Sequence, residues 1–111
     1  MVFSIVDIET TGGSHGNRIT EIAAVKTDGL RILESYETLI NPHIFIPKSI
    51  TLLTGITNSM VSGAPDFEEV SHDFLKFLEG SIFVAHNVSF DYSIIKNHFE
   101  DLSISFNSKK L

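Results

Sequence analysis

Apolar positions in this chain follow two rhythms, and the change from one to the other separates a strand-forming first part from a helix-forming second part. Residues 2–8 are mostly apolar, with Val2, Phe3, Ile5, Val6 and Ile8, as in a strand buried on both faces. A glycine-broken loop at 10–17 leads to a second strand at 18–26 that carries Ile19, Ile22, Ala23, Ala24 and Val25. Asp28-Gly29 is a two-residue hairpin signal. It opens a third strand at 30–40, where Ile32, Tyr36 and Thr38 alternate with polar neighbours until Asn41-Pro42 ends the run. Consecutive strands joined in this way predict an antiparallel meander.

The period then lengthens. Pro47 suits the first turn of a short helix over 47–53 that Gly55 closes, and residues 57–61 fit a further brief turn. Asp66 and Glu69 have capping-box spacing, and Val70, Phe74, Phe77 and Leu78 follow at i, i+4, i+7 and i+8, with Gly80 as C-cap. Residues 81–86 read as a short buried strand. A last helix from about Ser89 is expected to bury Phe90, Ile94, Ile95 and Phe99. Residues 101–111 show no period. The predicted fold is a single α/β domain: a mixed sheet with an antiparallel three-strand meander and flanking helices.

Composition adds exclusions. Nine Phe in 111 residues, with 42% hydrophobic residues, imply a packed core. A formal net charge of −6 excludes non-specific electrostatic capture of nucleic acid as the main function. It leaves room for a metal-dependent nuclease, where clustered acids hold the cations that meet phosphate. The chain has no cysteine, so disulfides and thiolate zinc sites within it are excluded. No apolar run approaches the roughly 20 residues that span a bilayer, and Met1-Val2-Phe3-Ser4 lacks a basic leader. No membrane partner and a cytoplasmic location are expected.

The candidate chemistry lies in two segments. Asp7-Ile8-Glu9-Thr10-Thr11-Gly12 ends the first strand, and its two acids, two residues apart, project from one face. Carboxylates at the end of an apolar strand are costly if buried unpaired, and a hard cation removes that cost. A bare D-x-E is more often two solvated acids, whereas the six-residue run is far more specific. His86-Asn87-Val88-Ser89-Phe90-Asp91 crosses from the fourth strand into the last helix, with Asp91 one turn in. A lone acid there is usually only a partner for the helix dipole.

Together the two segments resemble the first two motifs of the DEDD-type (DEDDh) 3′→5′ exonucleases, the superfamily of the proofreading epsilon subunit of bacterial DNA polymerase III. The resemblance implies a ribonuclease H-like fold. It implies two divalent cations, Mg²⁺ or Mn²⁺, with Asp7 bridging them and Glu9 and Asp91 each holding one side. Thr10 and Thr11 resemble residues that contact the terminal nucleotide. His86, Asn87 and Phe90 fit the second motif, Asn87 and Phe90 as residues that position the scissile end. Residues 52–57, including Leu53 and Thr54, resemble the segment that covers the terminal base. The implied substrate is the 3′ end of single-stranded DNA, cut to nucleoside monophosphates in proofreading or repair beside a DNA polymerase subunit. Trimming of RNA 3′ ends, and a non-catalytic module that binds a 3′ end or a polymerase, are the alternatives.

That family's third motif is His-x4-Asp, which supplies a general base and a fourth carboxylate. Outside the second motif, to which His86 belongs, no histidine fits it: His98 and Asp101 have the wrong spacing, His72 precedes the second motif, His15 is in a loop and His43 follows the third strand. Residues 1–111 are therefore expected to be the N-terminal part of a single exonuclease domain, with the C-terminal part missing. Weak activity is expected, together with self-association through surface left uncovered.

Overall fold

The computed structural model describes residues 1–111. Four strands, β1 (Phe3–Thr10), β2 (Ile19–Thr27), β3 (Ile32–Leu39) and β4 (Ile82–Val84), form one sheet in the order β3-β2-β1-β4. The first three make the antiparallel meander, and β4 runs parallel to β1. A parallel neighbour needs a crossover, which the helical stretch α1 (Lys48–Thr54), α2 (Asn58–Ser62) and α3 (Phe67–Leu78) provides. Helix α4 (Val88–Asp101) follows β4. The fold is the expected mixed α/β sheet with flanking helices.

Register assigns the faces. Val6 lies opposite Ala24 and Ile8 opposite Ile22, all buried, and these positions pack on α3 and α4. Asp7 lies opposite Ala23 and Glu9 opposite Glu21 on the other face, which no helix covers and where Asp7 is exposed. The core is aromatic: Phe99 stands 5.0 Å from Phe67, 6.1 Å from Phe74 and 5.1 Å from Phe106, centroid to centroid. Asp66 caps α3 by accepting from the Glu69 backbone N–H at 2.9 Å, while Glu69 Oε1 accepts from the Asp66 N–H. The two bonds satisfy otherwise orphaned donors.

Several expectations need correction. Phe90 is 44% exposed rather than buried, because α4 turns Ile94, Ile95 and Phe99 to the core and leaves Phe90 on its outer side. The link after β2 is longer than a two-residue hairpin: Thr27 pairs with Ile32, and Asp28 Oδ1 accepts from the N–H groups of Leu30 and Arg31. Residues 58–62 form a helical turn capped by Thr57 rather than a bare turn. Helix α3 ends at Leu78, so the left-handed Gly80 falls one residue past its cap. Residues 102–111 are not featureless. Phe106 is buried, the Phe83 N–H donates to Lys109 O at 2.7 Å, and the Leu111 N–H donates to Phe83 O at 2.9 Å. The end of the chain thus pairs with the outer edge of β4 in parallel.

Candidate active site

The site is built where β1 ends, where α4 begins and where α1 leans across them. β1 carries Asp7 and Glu9 on the uncovered face, and its ladder with β2 shifts between Glu9 and Thr10. That irregularity turns the chain out of the sheet beside the acids. Asp91 lies in the first turn of α4, where its N–H donates to Asn87 O at 3.0 Å, and it is only 8% exposed.

The three carboxylates feel one another. Burial first, then the charges of Asp7, Glu21 and Asp91, hold the Glu9 carboxyl above its usual range. Burial and then Asp7 do the same to Asp91, which the nearby His86 partly offsets. No lysine or arginine answers this charge: the chain's ion pairs are Arg18 with Asp101 and His43 with Asp66, both elsewhere. Oxygen donors of like charge, two of them pushed toward protonation, suit a hard divalent cation. As placed, however, no three His, Asp or Glu side chains stand close enough together to grip one. Unscreened like charges oppose closer approach.

Beside Glu9 opens a hollow of about 270 Å³. Thr10, Leu53, Thr54 and Phe90 line it with Glu9, so five of the sequence-predicted positions meet there. Leu53 is 81% exposed and α1 buries none of its residues, so that side chain overhangs the hollow without a core partner. His86 and Asn87 lie at the entry of α4, exposed and outside the hollow. Thr11 is fully buried: its hydroxyl donates to His15 O at 3.3 Å and accepts from the Arg18 N–H at 3.1 Å. Its side chain organises the loop and faces no opening.

Asn17, Ile50 and Glu21 also lie at the site and were not anticipated, and Gly12, the last residue of the first motif, shapes its loop. Gly12 has φ +95°, a conformation that L side chains rarely adopt, and a Cβ there would stand 3.0 Å from Ile50 Cδ1, so any side chain would strain the loop and press on α1. The Thr10 hydroxyl donates to Asn17 Oδ1 at 3.1 Å and accepts from the Gly12 N–H at 3.2 Å. A polar residue closing a glycine-rich loop was the available signal for Asn17. Cross-strand pairing with Glu9 would have found Glu21, had the register been known.

Comparison with known proteins agrees with this fold. The PolC-type DNA polymerase III of Caldanaerobacter subterraneus subsp. tengcongensis is 48% identical over 104 residues, 93% of this chain. The 3′-5′ exonuclease DinG of Bacillus subtilis is 43% identical over 96 residues, 85% of this chain. The chain spans 7% of the former protein and 10% of the latter. Exonuclease X, solved in complex with 5′ overhanging duplex DNA, superposes with a TM-score of 0.74 at 28% identity, over 98% of this chain and 58% of that one. A product-bound exonuclease I superposes at 0.86 with 17% identity, over 99% and 29%, and its likeness is one of fold. The Exonuclease family described as RNase_T is matched over residues 4–108, nearly the whole sequence, and the chain belongs to that family.

Proposed function

We propose that this chain is the metal-binding part of a 3′→5′ exonuclease that hydrolyses phosphodiesters at DNA 3′ ends and releases nucleoside monophosphates. The observation that carries the reading is the mutual charge repulsion of Asp7, Glu9 and Asp91, which no lysine or arginine pairs with, beside a hollow lined by Glu9, Thr10, Leu53, Thr54 and Phe90. In this reading Asp7, Glu9 and Asp91 would together hold two divalent cations, Mg²⁺ or Mn²⁺. When bound, such a pair supplies Lewis-acid stabilisation of the charge that develops as water attacks phosphorus in line. Phe90 and Leu53 grip the terminal base between apolar surfaces, and the Thr10 hydroxyl, tied to Asn17, holds the loop in place. His86 and Asn87 stand at the entry of α4, where a terminal phosphate would arrive.

The named likenesses support DNA over RNA as the polymer, and the PolC-type relatives support a place beside a DNA polymerase, in proofreading, in the cytoplasm. No histidine is positioned as general base: His86, exposed at the entry of α4, has no side-chain hydrogen bond to hold it. His98 is buried with both ring nitrogens bonded, and a positioned base is worth roughly 10²–10⁴-fold, so turnover by these residues alone is slow. The test is release of mononucleotide from single-stranded DNA carrying a radiolabelled 3′-terminal nucleotide in Mn²⁺. Slow release that Asp7→Ala reduces by at least about 10²-fold supports the reading. Mn²⁺-dependent binding of the strand with no release from the chain at any enzyme concentration would replace it with a non-catalytic 3′-end-binding module.

A further inference from the structure

A second hollow, of about 220 Å³, lies on the other side of Phe90. Gly16, Asn17 and Arg18 form one wall, and Phe90, Ser93 and Asn97 form the other. Asn17 and Phe90 line both this hollow and the one beside Glu9, so the two are neighbours across a shared rim. Each is smaller than the roughly 300–1,000 Å³ pocket that encloses a drug-sized ligand. Two adjoining open troughs suit a chain laid along the surface.

We propose that this second hollow carries the sugar-phosphate backbone of the nucleotides upstream of the scissile bond; the inference rests on the exonuclease reading above. Three observations converge. First, Phe90, Ser93 and Asn97 stand at i, i+3 and i+7, so they form one exposed stripe of α4 leading away from Asp91. Second, no aspartate or glutamate lines the hollow, whereas a strand leaving across the sheet would pass Glu21 and Glu37, whose charges already repel each other. A polyanion is steered to the acid-free route. Third, the wall offers donors. Asn17 Oδ1 is occupied by the Thr10 hydroxyl, which leaves the amide NH₂ as the free end. Arg18 Nη1 meets Asp101 Oδ2 at 3.1 Å with 36% and 62% of the two side chains exposed, and such a surface pair is readily exchanged for phosphate.

The test compares a ligand that fills both hollows with one that fills only the first. A 5′-labelled hexathymidylate with phosphorothioate linkages reports the full track by anisotropy in Mn²⁺, and thymidine 5′-monophosphate reports the terminal subsite by calorimetry. Asn97→Lys should tighten the hexamer about fivefold and steepen its dependence on log salt by about 0.7, one phosphate contact on a single strand. Asn97→Asp should weaken it by about the same factor. Both should bind the mononucleotide as wild type does, which also certifies that they fold. If wild type and both variants bind the hexamer alike while the mononucleotide binds in Mn²⁺, the track is wrong and the exonuclease reading stands. If wild type binds neither ligand in a Mn²⁺-dependent way, both are wrong.

Discussion

His98 shows how a residue with catalytic chemistry is put to structural use. Its Nε2 accepts from the Ile19 N–H at 3.1 Å, its Nδ1 bonds Ile94 O at 2.8 Å, and its ring lies 5.2 Å from Phe67. This ties α4 to the first residue of β2, just past the loop that shapes the site. Since the carbonyl can only accept, Nδ1 carries the proton and Nε2 must be bare, which fixes the neutral tautomer. Burial pushes its pKa below the usual 6.5, and Arg18 pushes it further, against the Ile94 carbonyl and Asp101. His43, Asp66 and Glu68 face it across the adjoining cleft. The sign follows from linkage: below about pH 6.5 the unfolded chain binds a proton that the folded chain refuses, so stability falls with pH until the depressed folded value is reached. Glu9, Glu21 and Asp91 work the other way. Their folded values are raised, so protonation near the ordinary carboxylate range relieves a penalty and flattens the decline. Urea midpoints measured from pH 8 to 4 should show the loss beginning near 6.5. His98→Leu should lower stability by about 2–3 kcal/mol at pH 7, because it strands the buried Ile19 N–H, and should remove that slope.

At the scale of elements, the approach of α1 to the end of β1 depends on Gly12. Gly12→Ala places a Cβ 3.0 Å from Ile50 Cδ1 on a backbone with φ +95°, so it should cost about 1–2 kcal/mol by urea unfolding. Adding Ile50→Ala should not restore the loss in full, because it removes the clash and leaves the backbone strain. A double-mutant cycle that returns wild-type stability would show the strain to be negligible. The same contact explains what the sequence could and could not reveal. Strands β1 and β2 and the capped helix α3 were legible because burial on a pleat and on a helix leaves different spacings in the letters, and Asp66 with Glu69 marks a start. Asp7 and Glu9 could be placed on one face because residues two apart on a strand project the same way. Phe90 was misread because i, i+4 spacing fits a helix stripe without fixing where its boundary falls. The tail is hard to read because the alternation of Leu102, Ile104 and Phe106, all packed toward the core, is short and follows a helix directly, and the pairing of Lys109 and Leu111 with Phe83 is long-range. Glu21 required a register, which letters without a partner strand do not encode.

For the whole molecule, the decisive asymmetry is between the two faces of the sheet. One packs on α3 and α4, and the other carries Ile5, Asp7 and Glu9 from β1 into open surroundings. Here Ile5, 45% exposed, pairs with Val25 on one side and Val84 on the other, and half-buried Phe3 and Ile82 pair beside them. An apolar band thus abuts the acidic strip of Asp7, Glu9 and Glu21. The band favours association and the strip opposes it. Net charge of −6 adds to the opposition, and salt screens that term while leaving the apolar term. Sedimentation velocity should therefore show concentration-dependent self-association that strengthens between about 0.05 and 0.5 M NaCl, where the Debye length shrinks from roughly 14 to 4 Å. Ile5→Lys should abolish it, since the new ammonium stands in the middle of the band and next to Asp7 and needs no room in the core. A wild-type chain that sediments as a monomer at all salts would mean that the acidic strip governs the entire face, and that the band is too narrow to join two copies.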